Sequence, residues 1–435
     1  MKDLLAMVRG LPPAVRILLL CATARSLSFF AVLAYMPIFL HGPVGMSGAT
    51  IGYVLGASLL VGTIASVYGG YLADRFVKVD LMIALDGVLV LVYLALPVIH
   101  DPLAVPAVLL VANTASSSMG VTANALLADL VPSEQRAKVF SLRYSLQNIG
   151  AAVGPFLGVA TVAAGGGGPF LLAAGIIVAA LLPLIVFRRH FVASPAESEG
   201  SANSANSAES AEPAESAESA ESEEALNFRE VLRVMRADRA LAWFTLGGIF
   251  SIVVYGPLLT FMSQYLVMVE SRDTAYRLVA YISAANAVVV ISTQYLVGSR
   301  LKDNTLMRWL TWGTAAFVVG LIAMSLSTHA ALLVAAVALF TLGEVIVVPA
   351  EYMFIDSIAP SNLRGSYFGA QNLVHIGVAI GPVVCGFLLQ HFAPAVMFYT
   401  LVAIVIAGWW FYVIGCRAAA SAAPAPANGK VVSEV

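Results

Sequence analysis

The chain has 435 residues, of which 60% are hydrophobic and 11% charged, with a formal net charge of −2. A water-soluble protein of this length has too little interior to hide that much apolar surface, so the bilayer is the solvent for most of the chain. No basic block points to nucleic acid, and Cys21, Cys385 and Cys416 sit in or beside apolar runs without metal-ligand spacing, so no metal or cofactor is expected.

The first apolar run is too long for a cleavable signal peptide and continues into a multi-span pattern. At roughly 20 residues per crossing, spans one to six are expected near 15–38, 50–72, 81–99, 103–127, 139–162 and 169–187. Spans seven to twelve are expected near 240–265, 277–297, 307–327, 331–354, 366–389 and 394–415. Two uncharged stretches, 144–187 and 365–416, each hold two spans, parted by the turn at Gly165–Pro169 and by the residues near Gln390, His391 and Pro394. Between the halves, Ala193–Glu224 is a Ser/Ala/Glu repeat with nothing to anchor a core, and reads as a disordered linker. From Phe228 to Met235, apolar residues share one helical face with Arg229, Arg233 and Arg236 between them, the pattern of a helix lying on a leaflet. The expected units are a first six-helix bundle at 1–191, a linker at 192–238, a second bundle at 239–417 and a disordered tail at 418–435.

Lys and Arg orient the chain. Arg75, Lys78, Arg136, Lys138, Arg143, Arg188, Arg189, Arg300, Lys302, Arg308 and Arg364 fall on the side of both termini, and only Arg272 and Arg277 on the other. By the positive-inside rule both termini are cytoplasmic, in the cell's inner membrane.

Two stretches repeat one pattern. The first is Asp129, Pro132, Arg136, Phe140, then Gly150, Gly154, Pro155 and Gly158; the second is Asp356, Pro360, Arg364, Phe368, then Gly377, Gly381 and Pro382. A duplication inside apolar segments implies two related halves. Glycines four apart let backbones approach closely and proline bends a helix, here expected where spans five, eight and eleven meet.

After the second span comes Gly70-Tyr-Leu-Ala-Asp74-Arg75-Phe-Val-Lys78. It resembles the signature loop of the major facilitator superfamily, and Gly150–Gly158 resembles the antiporter signature of its twelve-helix, proton-coupled drug-efflux branch. The resemblance covers nearly the whole chain except the linker and tail. It implies an all-α integral membrane protein with twelve transmembrane helices in two pseudo-symmetric six-helix bundles, the major facilitator fold. Departures are Val77 for a glycine, Val79 for a basic residue, Val159 for the last glycine of the span-five motif, and Leu109 where span four of that branch carries a buried arginine. The resemblance also implies that Asp74 latches the N-terminus of span eleven in the outward-facing state. Asp74 suits that role because a carboxylate is favoured beside a helix N-terminus. Arg75 is expected to pair with Asp129, with Arg136 in the same latch group.

Ionisable residues inside spans are sharper clues, since each costs about 2.5–3.5 kcal/mol at the bilayer centre. Arg25 and Glu344 fall near the midplane of spans one and ten, Glu351 follows Glu344 by two turns on the same face, and Asp86 lies in the inner third of span three. Burial disfavours an ionised carboxyl and a nearby cation or cargo favours it, which suits Glu344 to exchange a proton for cargo, with Asp86 and Glu351 as further proton-coupling candidates. A similar glutamate occurs in multidrug members of the branch. The competing reading pairs Glu344 with Arg25 to hold the halves in register; Arg25 itself suits either an anionic cargo or the tuning of Glu344 or Asp86, and Asp86 equally suits snorkelling. A cargo cavity is read from Arg25, Asn113, Ser117, Asn148, Tyr255, Asn286 and His375, any of which also serves as interhelical hydrogen-bonding.

The leading expectation is a monomeric secondary transporter exporting lipophilic or cationic small molecules in exchange for protons, with the proton as coupling ion and the lipid bilayer as its surroundings. An alternative exports an anionic metabolite or siderophore with Arg25 as the anion contact. A membrane-embedded enzyme is disfavoured, because the chain carries no H-E-x-x-H, G-x-S-x-G or phosphate-binding glycine loop.

Overall fold

Inside a bilayer each backbone N–H and C=O must be satisfied within its own segment, so these long apolar runs become helices. The computed structural model describes residues 10–162, 167–192, 227–326 and 328–422, and among them there is no β-strand. Spans one to six are Pro13–His41, Gly48–Arg75, Lys78–Ala95, Ala104–Leu130, Ser133–Val162 and Gly168–Val186. Span seven is Arg239–Tyr255 continued by Leu258–Val269, followed by Arg272–Gly298, Leu306–Leu326 and Ala330–Ile358 as spans eight to ten. Span eleven joins Arg364–Asn372 to Ile376–His391 through a 3-10 turn at Leu373–His375, and span twelve is Pro394–Ala422.

Eleven of these are long and apolar enough to cross a membrane unbroken. Span seven is the exception: the expected single helix breaks at Gly256-Pro257, where proline lacks the N–H that would continue the ladder. Residues 418–422, expected in a disordered tail, continue the last helix. The Ser/Ala/Glu repeat at 193–224, the tail at 423–435 and Gly165 and Gly166 of the glycine turn lie outside the described residues.

Packing repeats between halves. Span one packs on five and six, two on four, and three on four and six; likewise seven packs on eleven and twelve, eight on ten, and nine on ten and twelve. The halves join through two with eleven and five with eight, contacts that exchange under the same relation. A single apolar core runs through the second half and into the first at the end carrying Arg75, Arg136 and Arg364, called here the basic end. The other end of the first half, around Phe39, Leu96 and Phe170, has a separate core.

The repeated glycines do not sit where five, eight and eleven meet. Gly150, Gly154 and Gly158 face span one, and a Cβ on Gly154 would lie 2.8 Å from the Leu27 carbonyl oxygen. Gly377 and Gly381 face span seven, where a Cβ on Gly381 would lie 2.7 Å from the Val253 carbonyl oxygen. Pro155 and Pro382 stay inside these helices. The motif therefore seals each half internally, while the seam between five and eight is made by Ala137 and Ser141 against Gly298.

Candidate functional site

At the basic end, the last turn of span two brings Asp74 to the start of span eleven. Its two oxygens accept the Gly365 and Ser366 N–H groups at 2.6 Å each. These are first-turn donors with no partner inside their own helix, and the positive end of the helix favours the carboxylate. Close approach requires glycine on both sides: a Cβ on Gly365 would lie 2.7 Å from Asp74 Oδ1, and one on Gly70 would strike the Gly365 carbonyl oxygen.

The expected Arg75–Asp129 pair does not form. Arg75 turns back to the Tyr71 hydroxyl at 3.1 Å, because both Asp129 oxygens are taken, one by Lys78 and one by Arg364, at 3.0 Å each. Arg136 crosses the seam to Asp356 at 2.5 Å. The duplicated Asp and Arg thus pair across the halves, Arg136 with Asp356 and Arg364 with Asp129, while Arg364 Nε also lies 3.6 Å from Asp356 Oδ1 within its own half. Arg136→Gln and Asp356→Asn are each expected to weaken the basic-end closure, and the two together by less than the sum of the single effects. The coupling should be about 1–2 kcal/mol in a double-mutant cycle read from spin-label distances across the seam.

Deeper in the seam, the Tyr144 hydroxyl of span five donates to Glu344 Oε1 of span ten. Asn286 Nδ2 of span eight donates to Thr341 Oγ1 at 3.0 Å and to Glu344 Oε2 at 3.5 Å. Glu344 is buried, and its carboxyl is shared between the halves. Glu351, expected on the same face, has different company: Tyr412 of span twelve donates to one oxygen and Gln371 of span eleven to the other at 3.3 Å, both inside the second half.

Arg25 does not reach Glu344. Its Nε and Nη2 hold Asp86 at 2.9 and 2.6 Å, with Asp86 fully buried rather than snorkelling to a surface. Removing one partner strands the other charge, so Arg25→Ala is expected to cost about 3–5 kcal/mol of stability. The double change Arg25→Met with Asp86→Leu should restore most of it, as thermal unfolding in detergent will read.

The remaining cavity candidates are dispersed. Asn113 ties span four to Ser58 of span two at 3.1 Å, and with Ser116, Phe29 and Leu109 it lines an apolar pocket within the first half. Ser117 is half-buried beside it. Asn148 bonds back to the Tyr144 carbonyl at 3.0 Å, and Tyr255 is buried and stacked on Phe317. His375 is exposed at the 3-10 turn of span eleven, its ring on the Asn372 carbonyl at 3.1 Å.

Residues 18–375 match the family model of the Major Facilitator Superfamily. The chain belongs to this superfamily. It is 32% identical over 389 residues to the uncharacterized MFS-type transporter YdeE of Escherichia coli (strain K12), covering 89% of this chain and 92% of that protein. It is 22% identical to a Na(+), Li(+), K(+)/H(+) antiporter of Planococcus maritimus, covering 82% and 85%. It is 24% identical to the multidrug resistance protein MdtH of Escherichia coli (strain SE11), covering 84% and 83%. As a major facilitator protein it is a membrane transporter and not an enzyme.

Two members of this transporter's seam escaped the sequence reading. Arg143, counted there among the cytoplasmic charges, is buried, donates to Asn124 of span four, and lies beside Tyr352 of span ten. Tyr144 is the partner of Glu344. Tyr144 and Asn148 are four apart, on one helical face, and that spacing was the available signal.

Proposed function

We propose that this transporter exports small lipophilic or cationic molecules in exchange for protons by alternating access, with Glu344 as the proton-binding group. One observation carries the reading: a buried carboxyl at the seam, bonded from Tyr144 of one half and Asn286 of the other. When the halves part at this level, Glu344 loses the Tyr144 hydroxyl and needs another partner for its charge. A proton or a cationic cargo supplies it, so charge state and conformation are linked. The positive-inside rule puts the basic end in the cytoplasm of a bacterial inner membrane, which makes this arrangement closed to the cytoplasm. One proton moving inward across 100 mV releases about 2.3 kcal/mol, while a tenfold cargo gradient costs about 1.4 kcal/mol.

An anionic cargo at Arg25 loses its support, because two donors of that guanidinium are spent on Asp86. The likeness to a cation/proton antiporter favours a second reading, alkali cations exchanged at the same carboxyl. Inside-out vesicles under an imposed acid-inside gradient separate the two: uncoupler-sensitive uptake of a cationic dye supports the first reading, and uptake of Na(+) or K(+) alone supports the second. If neither moves, both readings are wrong.

A further inference from the structure

We propose that the helix Phe228–Ala237 is a binding surface for anionic phospholipid headgroups, and that headgroups held there favour the closed basic end. The helix is bent 80° from Arg239–Tyr255, so it leaves the axis of span seven and lies across the bundle. A capping box between Asn227 and Glu230 sets its start. Val231 and Met235 are buried against the protein. The apolar face expected to enter the leaflet is therefore spent on protein contacts.

What faces outward is basic. Arg229, Arg233 and Arg236 fall within about 60° of one another around the helix. All three are exposed, and none has an ion-pair partner among the described residues. A guanidinium fork matches phosphate oxygens two at a time. This row stands immediately before a membrane span, where an anionic leaflet concentrates such phosphates.

The helix touches both sides of the Asp74 contact. The Phe228 ring packs on Tyr68 and Tyr71 of span two, with centroids 5.1 and 5.3 Å apart. Asp238, which ends the helix, accepts the Tyr367 hydroxyl of span eleven at 2.7 Å and caps span seven through the Leu241 N–H at 3.0 Å. Tyr71 lies one turn before Asp74, and Tyr367 follows Gly365 by two residues. A headgroup that holds the helix in this place stabilises the one state in which all these contacts coexist.

The test uses the full chain in nanodiscs of phosphatidylcholine, with or without phosphatidylglycerol, and amide hydrogen exchange as the readout. Phosphatidylglycerol is expected to slow exchange severalfold at both 228–237 and 364–372. The triple change Arg229→Gln, Arg233→Gln, Arg236→Gln should remove the effect at both segments. Tyr367→Phe should retain it at 228–237 and lose it at 364–372. The proposal is overturned if phosphatidylglycerol changes nothing, if the triple variant responds like the parent, or if inorganic phosphate in phosphatidylcholine discs does the same. Neither cargo nor proton movement enters these readouts, so the outcome is separate from that of the transport assay.

Discussion

Glu344→Gln is expected to reduce pH-gradient-driven transport to the level of empty vesicles while leaving the protein folded. The carboxamide keeps an oxygen for the Tyr144 hydroxyl and nearly the same volume, so the seam between spans five and ten stays packed. It cannot take up or release a proton. If Glu344 is the exchanging group, cargo still binds and still equilibrates down its own gradient, but an acid gradient no longer drives it. Glu351→Gln is the natural comparison. Its carboxyl is bonded to Tyr412 and Gln371 inside the second half, away from the seam, so coupling should survive there. If Glu344→Gln retains full coupling and Glu351→Gln loses it, the proton site belongs to Glu351 and the proposed link between seam and proton fails.

Asp74→Ala should open the basic end. Two hydrogen bonds of 2.6 Å from backbone N–H groups to a carboxylate are lost, and the first-turn donors of span eleven have no replacement in the closed state. Hydrogen bonds to charged groups contribute about 1.5–3 kcal/mol each. Because water solvates the same groups once the halves part, the net shift expected is about 2–4 kcal/mol, or roughly 30- to 700-fold in the closed-to-open ratio at 1.4 kcal/mol per decade. Spin labels at Glu134→Cys and Asn362→Cys report it, since both residues are exposed and lie on opposite halves. The distance distribution should move to longer values in the variant. Asp74→Asn should fall between, because it keeps an acceptor oxygen but loses the charge and turns an amide donor toward other donors. An unchanged distribution in Asp74→Ala would mean that the Arg136–Asp356 and Arg364–Asp129 pairs hold the end shut without it.

The sequence by itself determined the twelve spans, the two related halves and the duplicated Asp and Arg of the basic end. Hydropathy is a property of a window of roughly 20 residues, and the Asp129/Arg136 and Asp356/Arg364 patterns are visible to anyone who aligns the chain with itself. Asp74 beside span eleven was legible through the motif that contains it. Tertiary structure alone decided the partners. Whether Arg25 meets Asp86 or Glu344, whether Asp129 takes Arg75 or Arg364, and whether Gly154 faces span one or span eight depend on the rotation and depth of each helix against its neighbours. A hydropathy window holds neither quantity. Arg143 shows the limit most plainly: by sequence it belongs to a cytoplasmic stretch with Arg136 and Lys138, yet in the fold it is buried, where Asn124 and Tyr352 receive it.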